Sequence, residues 1–191
     1  TGNIFEDMPS GIGACLLASP DCLVVSNTFI NVGQSIRLDG CGGSLVLDNH
    51  ISGGVDAIYA YGCDGIIIDG NTVSGNGEGT GLWIGYSQNA IVVNNTFSDL
   101  SVGMNIRTSQ GAISNNVVTG CENGVVMGNC ISTSFIGNEV SDNGGFGLWL
   151  MNNCYWNTIS NNIFVNNLDF GIYAGEGNCY ENLMFANYLE G

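Results

Sequence analysis

The chain has 191 residues, 45% of them hydrophobic, and its 17 acidic side chains outweigh two arginines and a single histidine to give a formal net charge of −15. Nucleic-acid binding needs basic groups that displace counterions, so this charge excludes nucleic acid as a partner and disfavours an anionic membrane surface. No apolar run is long enough for a transmembrane helix, and we expect no membrane span.

An asparagine followed two positions later by an apolar residue recurs along the whole chain. The gaps between successive asparagines are 24, 22, 22, 24, 21, 22, 24 and 25 residues. These anchor asparagines are Asn3, Asn27, Asn49, Asn71, Asn95, Asn116, Asn138, Asn162 and Asn187. Such a period indicates one supersecondary unit stacked on itself, which is a solenoid. Residues 1–191 are therefore predicted to form one domain without a linker.

The predicted strands follow the anchor in a fixed order. Two positions after it stands an apolar residue, beginning with Phe5 and Phe29. Eight to ten positions after it a small residue begins an in–out–in alternation, as in Gly81-Leu82-Trp83-Ile84, which is typical of a strand with one buried face. A third apolar position lies three residues before the next anchor. Short Val-, Ile- and Phe-rich strands between Gly and Asn turns exclude helix and predict an all-β fold.

We predict a right-handed parallel β-helix of about eight coils, each of 21–25 residues, with coils about 4.8 Å apart. The handedness follows from the rule for parallel connections. This repeat resembles the β-helix repeat shared by pectate-lyase-like proteins and NosD-type periplasmic proteins, and the resemblance covers essentially the whole chain. It implies the fold but leaves the function open, because the same coil carries lyases, hydrolases, epimerases, adhesins and structural proteins.

The asparagine column from Asn27 to Asn187 is interpreted as structural. Asparagine tolerates left-handed backbone at a tight turn. Stacked at the same place on every coil, its amides can also hydrogen-bond to one another along the solenoid, as in other ladders of stacked strands. A ligand contact is the alternative interpretation of this column.

Five of the eight cysteines occupy one column, eight positions before the next anchor, with Ser87 and Thr108 on the intervening coils. These disulfide candidates are Cys41, Cys63, Cys130, Cys154 and Cys179. Neighbouring coils would bring such residues within the usual Cα–Cα range of a disulfide. We expect Cys41–Cys63 and one pair among the other three to be bridged; a column of buried, reduced thiols is the alternative.

Aromatic residues recur in the outward-facing column of the predicted strands. Tyr59 and Trp83 should stack on adjacent coils, and so should Trp149 and Tyr173. An exposed aromatic strip marks a contact surface, either for another subunit or for sugar rings, unless loops cover it.

The sequence contains no evident catalytic constellation. Polysaccharide-cleaving β-helix enzymes combine carboxylates with a basic residue, whereas here Arg37 and Arg107 fall on different coils, no aspartate column runs beside either, and lysine is absent. His50 near Asp48 is interpreted as a surface hydrogen-bond partner. We therefore favour a protein that is not an enzyme.

No metal site or cofactor is predicted. The acidic loop residues are scattered over different turns and permit at most weak surface binding of Ca²⁺; they are Asp21, Asp39, Asp64, Asp99, Glu122, Asp142 and Glu176. The resemblance to NosD-type proteins implies a link to copper-site maturation, but the five methionines do not cluster as a soft-metal site would need.

The two ends of the repeat carry no evident capping element, which leads us to expect end-to-end stacking of copies into a filament or a closed hoop. Together with the cysteine column and the acidic surface, this resembles tough envelope material such as the tubular sheaths of some methanogenic archaea. The predicted function is a self-assembling structural protein of the cell surface, reinforced by disulfides. The alternatives are a glycan-binding or glycan-cleaving β-helix protein and a fragment of a larger adhesin-like domain.

Overall fold

The computed structural model describes the backbone of residues 1–191 and every side chain except that of Glu176, so the acidic position predicted there lies outside the described side chains. The chain winds into a parallel β-solenoid of about eight coils, which confirms the predicted fold. Within the described residues, no helix is long and apolar enough to cross a membrane.

Strands are numbered in chain order and line three faces. The long-strand face consists of β1 (Ile4–Leu17), β3 (Thr28–Asp39), β6 (Asp56–Tyr61), β9 (Thr80–Gly85), β12 (Val102–Arg107), β15 (Asn123–Gly128), β18 (Phe146–Met151) and β21 (Phe170–Glu176). The eight-stranded face consists of β2 (Leu23–Val25), β4 (Leu45–Leu47), β7 (Ile67–Asp69), β10 (Ala90–Val93), β13 (Gly111–Ser114), β16 (Ser134–Ile136), β19 (Thr158–Ser160) and β22 (Leu183–Phe185). The short-strand face consists of β5 (His50–Ser52), β8 (Thr72–Ser74), β11 (Thr96–Ser98), β14 (Val117–Thr119), β17 (Glu139–Ser141), β20 (Ile163–Val165) and β23 (Tyr188–Glu190).

Two long strands join two of these faces. β3 pairs with β5 through its first half and with β6 through its second half, so the long-strand and short-strand faces form one 15-stranded sheet. The strands of the remaining face form a separate sheet of eight strands. Every coil therefore lies on the one before it through parallel backbone pairing.

The core consists of the predicted inward columns. On the short-strand face, Phe29 pairs with Ile51 and Ile51 with Val73, and the same column continues to Phe97 and Phe164. All five side chains are buried. Parallel in-register pairing sets an apolar residue of one coil on an apolar residue of the next, so a single hydrophobic core runs through the solenoid.

The small-residue column has a steric cause. A Cβ atom added to Gly81 would lie 2.6 Å from the carbonyl oxygen of Gly103, and one added to Gly147 would lie 2.5 Å from that of Gly171. Real Cβ atoms do not approach backbone oxygens so closely. On these coils, the residue directly before the first inward-facing side chain of the long strand (Leu82 or Leu148) is therefore glycine.

Candidate functional site

The anchor asparagines form a continuous hydrogen-bonded ladder. From Asn3 to Asn162, each Nδ2 donates to Oδ1 of the next anchor at 2.9–3.1 Å. Each anchor backbone N–H donates to the same oxygen at 2.8–3.1 Å. The anchors from Asn27 to Asn162 are buried, while Asn187 is partly exposed. Because these amides are engaged with one another, the column supports the coils and offers little to a ligand.

The left-handed backbone expected at the anchor lies one residue earlier. Positive φ angles occur at the residue before each anchor, among them Ser26 (54°), Asp48 (53°) and Asn94 (55°). The anchor itself must point its side chain into the ladder, so the turn is made by the preceding residue. Gly, Asn and Asp, which tolerate this conformation, occupy seven of these nine positions.

Two shorter asparagine ladders escaped the sequence analysis. Asn143 Nδ2 donates to Asn167 Oδ1 at 2.8 Å, and Asn157 Nδ2 donates to Asn182 Oδ1 at 2.9 Å. The signal was present, because these asparagines stand five positions after or before an anchor and repeat with the same spacing. Both ladders lie in the C-terminal coils, where they add hydrogen bonds to the stack.

The cysteine column is present, with one correction. Ser87 N–H donates to Ser109 Oγ at 3.3 Å, so Ser109, and not Thr108, occupies the column on its coil. The coil between Asn95 and Asn116 is the shortest of all, and the residue that it lacks falls between this column and the next anchor. Counting back a fixed eight positions therefore selected the wrong residue.

The first cysteine pair makes a backbone contact. Cys41 N–H donates to Cys63 Sγ at 3.4 Å, and both residues are fully buried. The structure holds Cys41, Cys63, Cys130 and Cys154 as free thiols, so their predicted disulfides stay a prediction.

The second group of cysteines lies on successive coils near the C-terminal end. The Cys130 thiol donates to Ile106 O at 3.5 Å, and the Cys154 thiol donates to Met127 O at 3.3 Å. Cys130 and Cys154 are fully buried, whereas Cys179 is partly exposed. The hydrogen bond from Cys130 lowers the pKa of Cys154 to about 6, and the same bond, followed by burial, raises the pKa of Cys130.

Two aromatic clusters lie on the long-strand face. In the first, the rings of Tyr59 and Trp83 stack with centroids 4.6 Å apart and planes 11° apart. The Arg37 guanidinium carbon lies 5.3 Å from the Tyr59 ring centroid, so it covers the opposite side of this stack. Both aromatic side chains are partly exposed. The faces of these stacked rings are covered by each other and by Arg37, so the cluster exposes mainly ring edges to solvent. A sugar ring packs on an exposed aromatic face, and this cluster therefore suits it poorly.

The second cluster contains phenylalanines that the sequence analysis missed. Trp149 and Tyr173 are partners in register, and Phe146 packs against both with ring centroids 5.0 Å apart. Phe170 stacks on Phe146 at 6.0 Å. The two phenylalanines stand three positions before the predicted aromatics, at the start of the same strands. Between the clusters, Val126 is buried, so the aromatic surface is divided into two patches.

Both arginines are engaged locally. Arg37 forms an ion pair with Asp39 at 2.8 Å, and this hydrogen-bonded carboxylate raises the pKa of Arg37. Arg107 Nε donates to Asn105 Oδ1 at 2.6 Å, and its guanidinium reaches Met151 Sδ at 3.0 Å. His50 is exposed at the start of its strand. The described side chains thus do not place either arginine within a cluster of carboxylates, which a glycan lyase or hydrolase would need.

The coil formed by β21, β22 and β23 exposes residues of the inward columns. Met184 is 41% exposed and Leu189 is 54% exposed, although the equivalent residues of inner coils are buried. With Ile172 and Ala174 they line a hollow of about 420 Å³. At the other end, the equivalent inward columns begin with Phe5, which is partly buried, and Val24, which is buried.

Potential metal-ligating side chains are dispersed over the part of the chain that the structure describes. Among the described residues, no group of three or more His, Cys, Asp or Glu is arranged to hold a metal ion. The predicted calcium-binding positions whose side chains are described therefore do not form such a group. Cys130 and Cys154 lie buried on successive coils of one column, and thiolate sulfur is a donor that suits a soft monovalent cation such as Cu(I).

The coils, the in-register columns and the asparagine ladder define a parallel β-solenoid repeat protein. A family described as periplasmic copper-binding protein (NosD) matches residues 21–191, so the chain belongs to the NosD family. No curated protein and no solved structure matches it. The family is periplasmic, which is consistent with a location in the cell envelope.

Proposed function

We propose that this protein is a structural component of the cell envelope that self-associates end to end, so that the solenoid continues from one copy to the next. The observation that carries the proposal is the exposed apolar interior of the last coil, represented by Met184 and Leu189. Unpaired parallel strands over an apolar core are a template for further pairing. A sheath or filament at the cell surface, like those of the envelope material that the repeat resembles, is the assembly that we expect.

The two ends of the solenoid are complementary in outline. The last coil presents strands β21, β22 and β23, and the first coil presents β2 and the two halves of β1. The columns that end at Leu189 and Met184 begin at Phe5 and Val24 in the first coil. Stacking one copy on another would therefore set apolar residues on apolar residues, as inside the solenoid.

The asparagine ladder gives this junction a direction. Each anchor donates to Oδ1 of the next anchor along the chain. Asn187 is the last anchor and has no following anchor to donate to, whereas Asn3 is the first and its Oδ1 has no preceding anchor to accept from. In a head-to-tail junction, Asn187 N–H would donate to Asn3 Oδ1 of the next copy. Because the contact joins different surfaces, it is heterologous and propagates into an open filament or a closed ring.

Acidic residues oppose the junction at low salt. Glu190 and Glu6 occupy the same column, so stacked copies would bring them about 4.8 Å apart. Two like charges at that distance repel by about 1 kcal/mol in water, and salt screens such repulsion. Assembly should therefore increase with ionic strength.

The test is the size of the 191-residue protein, measured by light scattering and negative-stain electron microscopy over a range of protein and salt concentrations. Leu189→Asp should abolish association by placing a charge in the junction. Ile91→Asp is the control, since Ile91 is 40% exposed on the outer side of β10 in an inner coil, away from both ends. Wild-type protein that remains monomeric under every condition would refute the proposal. Repeating the measurement with reductant tests whether disulfides reinforce the assembly.

Copper binding is a second candidate function, favoured by the column that places the buried residues Cys130 and Cys154 on successive coils. The family description names copper, and thiolate sulfur is a soft donor that suits Cu(I). An anaerobic titration of the reduced protein with Cu(I), against a chromophoric Cu(I) chelator, tests it. Protein that removes no copper from the chelator would exclude the candidate.

A further inference from the structure

A third group of aromatic residues lies in the last coils, at the corner between the long-strand face and the eight-stranded face. Tyr155 and Tyr180 pair in register there, and their rings stack with centroids 5.3 Å apart and planes 6° apart. The Trp156 ring is nearly perpendicular to that of Tyr155, with centroids 5.1 Å apart and planes 87° apart. Two rings at right angles form the walls of an open corner, unlike the flat stack of Tyr59 on Trp83.

This aromatic corner is open to solvent and carries a carboxylate. Trp156 is 59% exposed and Tyr180 is 51% exposed. The indole N–H of Trp156 donates to Oε2 of Glu181, which is also exposed. The faces of aromatic rings are negative and their edges are positive. Because the carboxylate covers the positive N–H edge of the indole, the corner as a whole presents negative potential.

The backbone at Trp156 and Glu181 is strained. Both residues have left-handed backbone, with φ of 58° and 55°. Other coils have the same backbone at this position, six residues before the anchor, and place there a small residue, Asn or Asp: Asp21, Gly43, Gly65, Asn89 and Ser132. A bulky side chain in this conformation is an outlier, and such strain is concentrated at binding and active sites. The turn itself does not need an indole, which points to a ligand.

We propose that Tyr155, Trp156 and Glu181 form a binding site for a quaternary ammonium group, such as that of choline or a betaine. The cation lies in the corner between the two perpendicular rings, beside the carboxylate. Cations are attracted to the faces of Trp and Tyr, and aromatic rings recognise quaternary ammonium ligands in this way. Because Trp156 belongs to the coil before the last one, its exposure is lateral, and the proposal does not depend on end-to-end association.

The charge of the site and the hydration of the ligand select this group. The net charge of −15 attracts cations and repels anionic ligands. A primary ammonium is strongly hydrated, and its N–H groups lose hydrogen bonds to water on an aromatic surface. A guanidinium pairs best with both oxygens of a carboxylate, whereas Oε2 of Glu181 already accepts the indole N–H. A quaternary ammonium has no N–H to leave unpaired, and its methyl groups pack on the ring faces.

The first test needs no change to the site. The full chain is isotope-labelled, and the indole N–H signal of Trp156 is identified by its loss in Trp156→Phe. Choline should shift this signal saturably and should bind about tenfold more tightly than dimethylbutanol, its neutral isostere. Equal affinity for the isostere would show that charge plays no part and would refute the proposal. Tighter binding of methylguanidinium would refute the preference for quaternary ammonium, and no saturable shift with choline would refute the site.

Variants separate a binding role from a structural one. Trp156→Asn should abolish choline binding in calorimetry, while its urea midpoint stays at or above that of wild type because Asn89 makes the same turn on an inner coil. A large fall in the midpoint would overturn the argument from strain, and retained binding would overturn the site. Glu181→Gln keeps the acceptor but removes the charge, and it should weaken binding several-fold. Trp83→Leu is the matched control and should bind choline as wild type does.

Quaternary ammonium groups occur in small solutes and in lipid headgroups. Sedimentation with phosphatidylcholine vesicles distinguishes these sources. If wild type sediments with the vesicles and Trp156→Asn does not, the site takes the lipid headgroup. If wild type binds choline but stays in the supernatant, the site takes the small solute.

Discussion

The asparagine ladder makes a quantitative prediction at Asn116, near its middle. Its Oδ1 accepts from Asn95 N–H and Nδ2 at 2.9 and 3.0 Å, and its Nδ2 donates to Asn138 Oδ1 at 2.9 Å and to Val92 O and Ser114 O at 3.0 Å. Asn116→Ala leaves the buried Asn95 N–H without its acceptor, at a cost of about 1–3 kcal/mol, and removes carbonyl hydrogen bonds worth about 1 kcal/mol each. We expect the free energy of unfolding to fall by about 3–5 kcal/mol.

Urea unfolding followed by circular dichroism measures this loss. Asn76→Ala is the control, because Asn76 is exposed in a loop and the same chemical change there should cost less than about 0.5 kcal/mol. Asn187→Ala should cost less than Asn116→Ala, since Asn187 lies at the partly exposed end of the ladder. If Asn116→Ala were as stable as Asn76→Ala, the ladder would contribute little and the argument from buried amides would fail.

Two further predictions concern backbone packing and pH. Gly79 has a φ of +74°, and a Cβ added to it would lie 1.4 Å from Val55 O. Gly79→Ala should therefore lower the free energy of unfolding, measured in urea, by more than about 3 kcal/mol. Gly62 has a φ of +60° but open space around it, so Gly62→Ala is the control and should lower it by about 1–2 kcal/mol. Burial raises the pKa of Asp56 above its usual value of 3.8. The folded state is therefore destabilised as pH rises from the unfolded-state pKa through the higher folded-state pKa. Asp56→Asn should raise Tm at pH 7, with the gain vanishing below the unfolded pKa; a gain that persists at low pH would contradict this.

The periodicity alone predicted the fold class, because the repeat itself encodes it. Each apolar column, such as the one from Phe29 to Phe164, is visible in the sequence, since in-register stacking demands the same kind of residue at the same place on every coil. The ladder asparagines were predicted for the same reason. Fixed spacing failed where a coil has lost a residue, and this is why Ser109 was missed.

Contacts between side chains of different coils could not be obtained from the sequence. A column shows that Cys41 and Cys63 align, but it does not show that the backbone N–H of Cys41 donates to Cys63 Sγ at 3.4 Å. That contact depends on the path of the backbone and on the side-chain rotamer, which no spacing records. The aromatic contacts were likewise not evident from the sequence. Phe146 lies in a different column from Trp149 and Tyr173, and it contacts both only because of the direction of its side chain.

The sequence by itself therefore determined that the chain is a parallel β-solenoid, how its coils divide and which residues face inward, because these properties repeat along the chain. The tertiary structure decided which residue makes the left-handed turn, which aromatic rings stack, and which inward side chains of the last coil remain exposed. Those features depend on distances of a few ångströms between residues more than 20 positions apart, and such distances are set only once the coils have stacked.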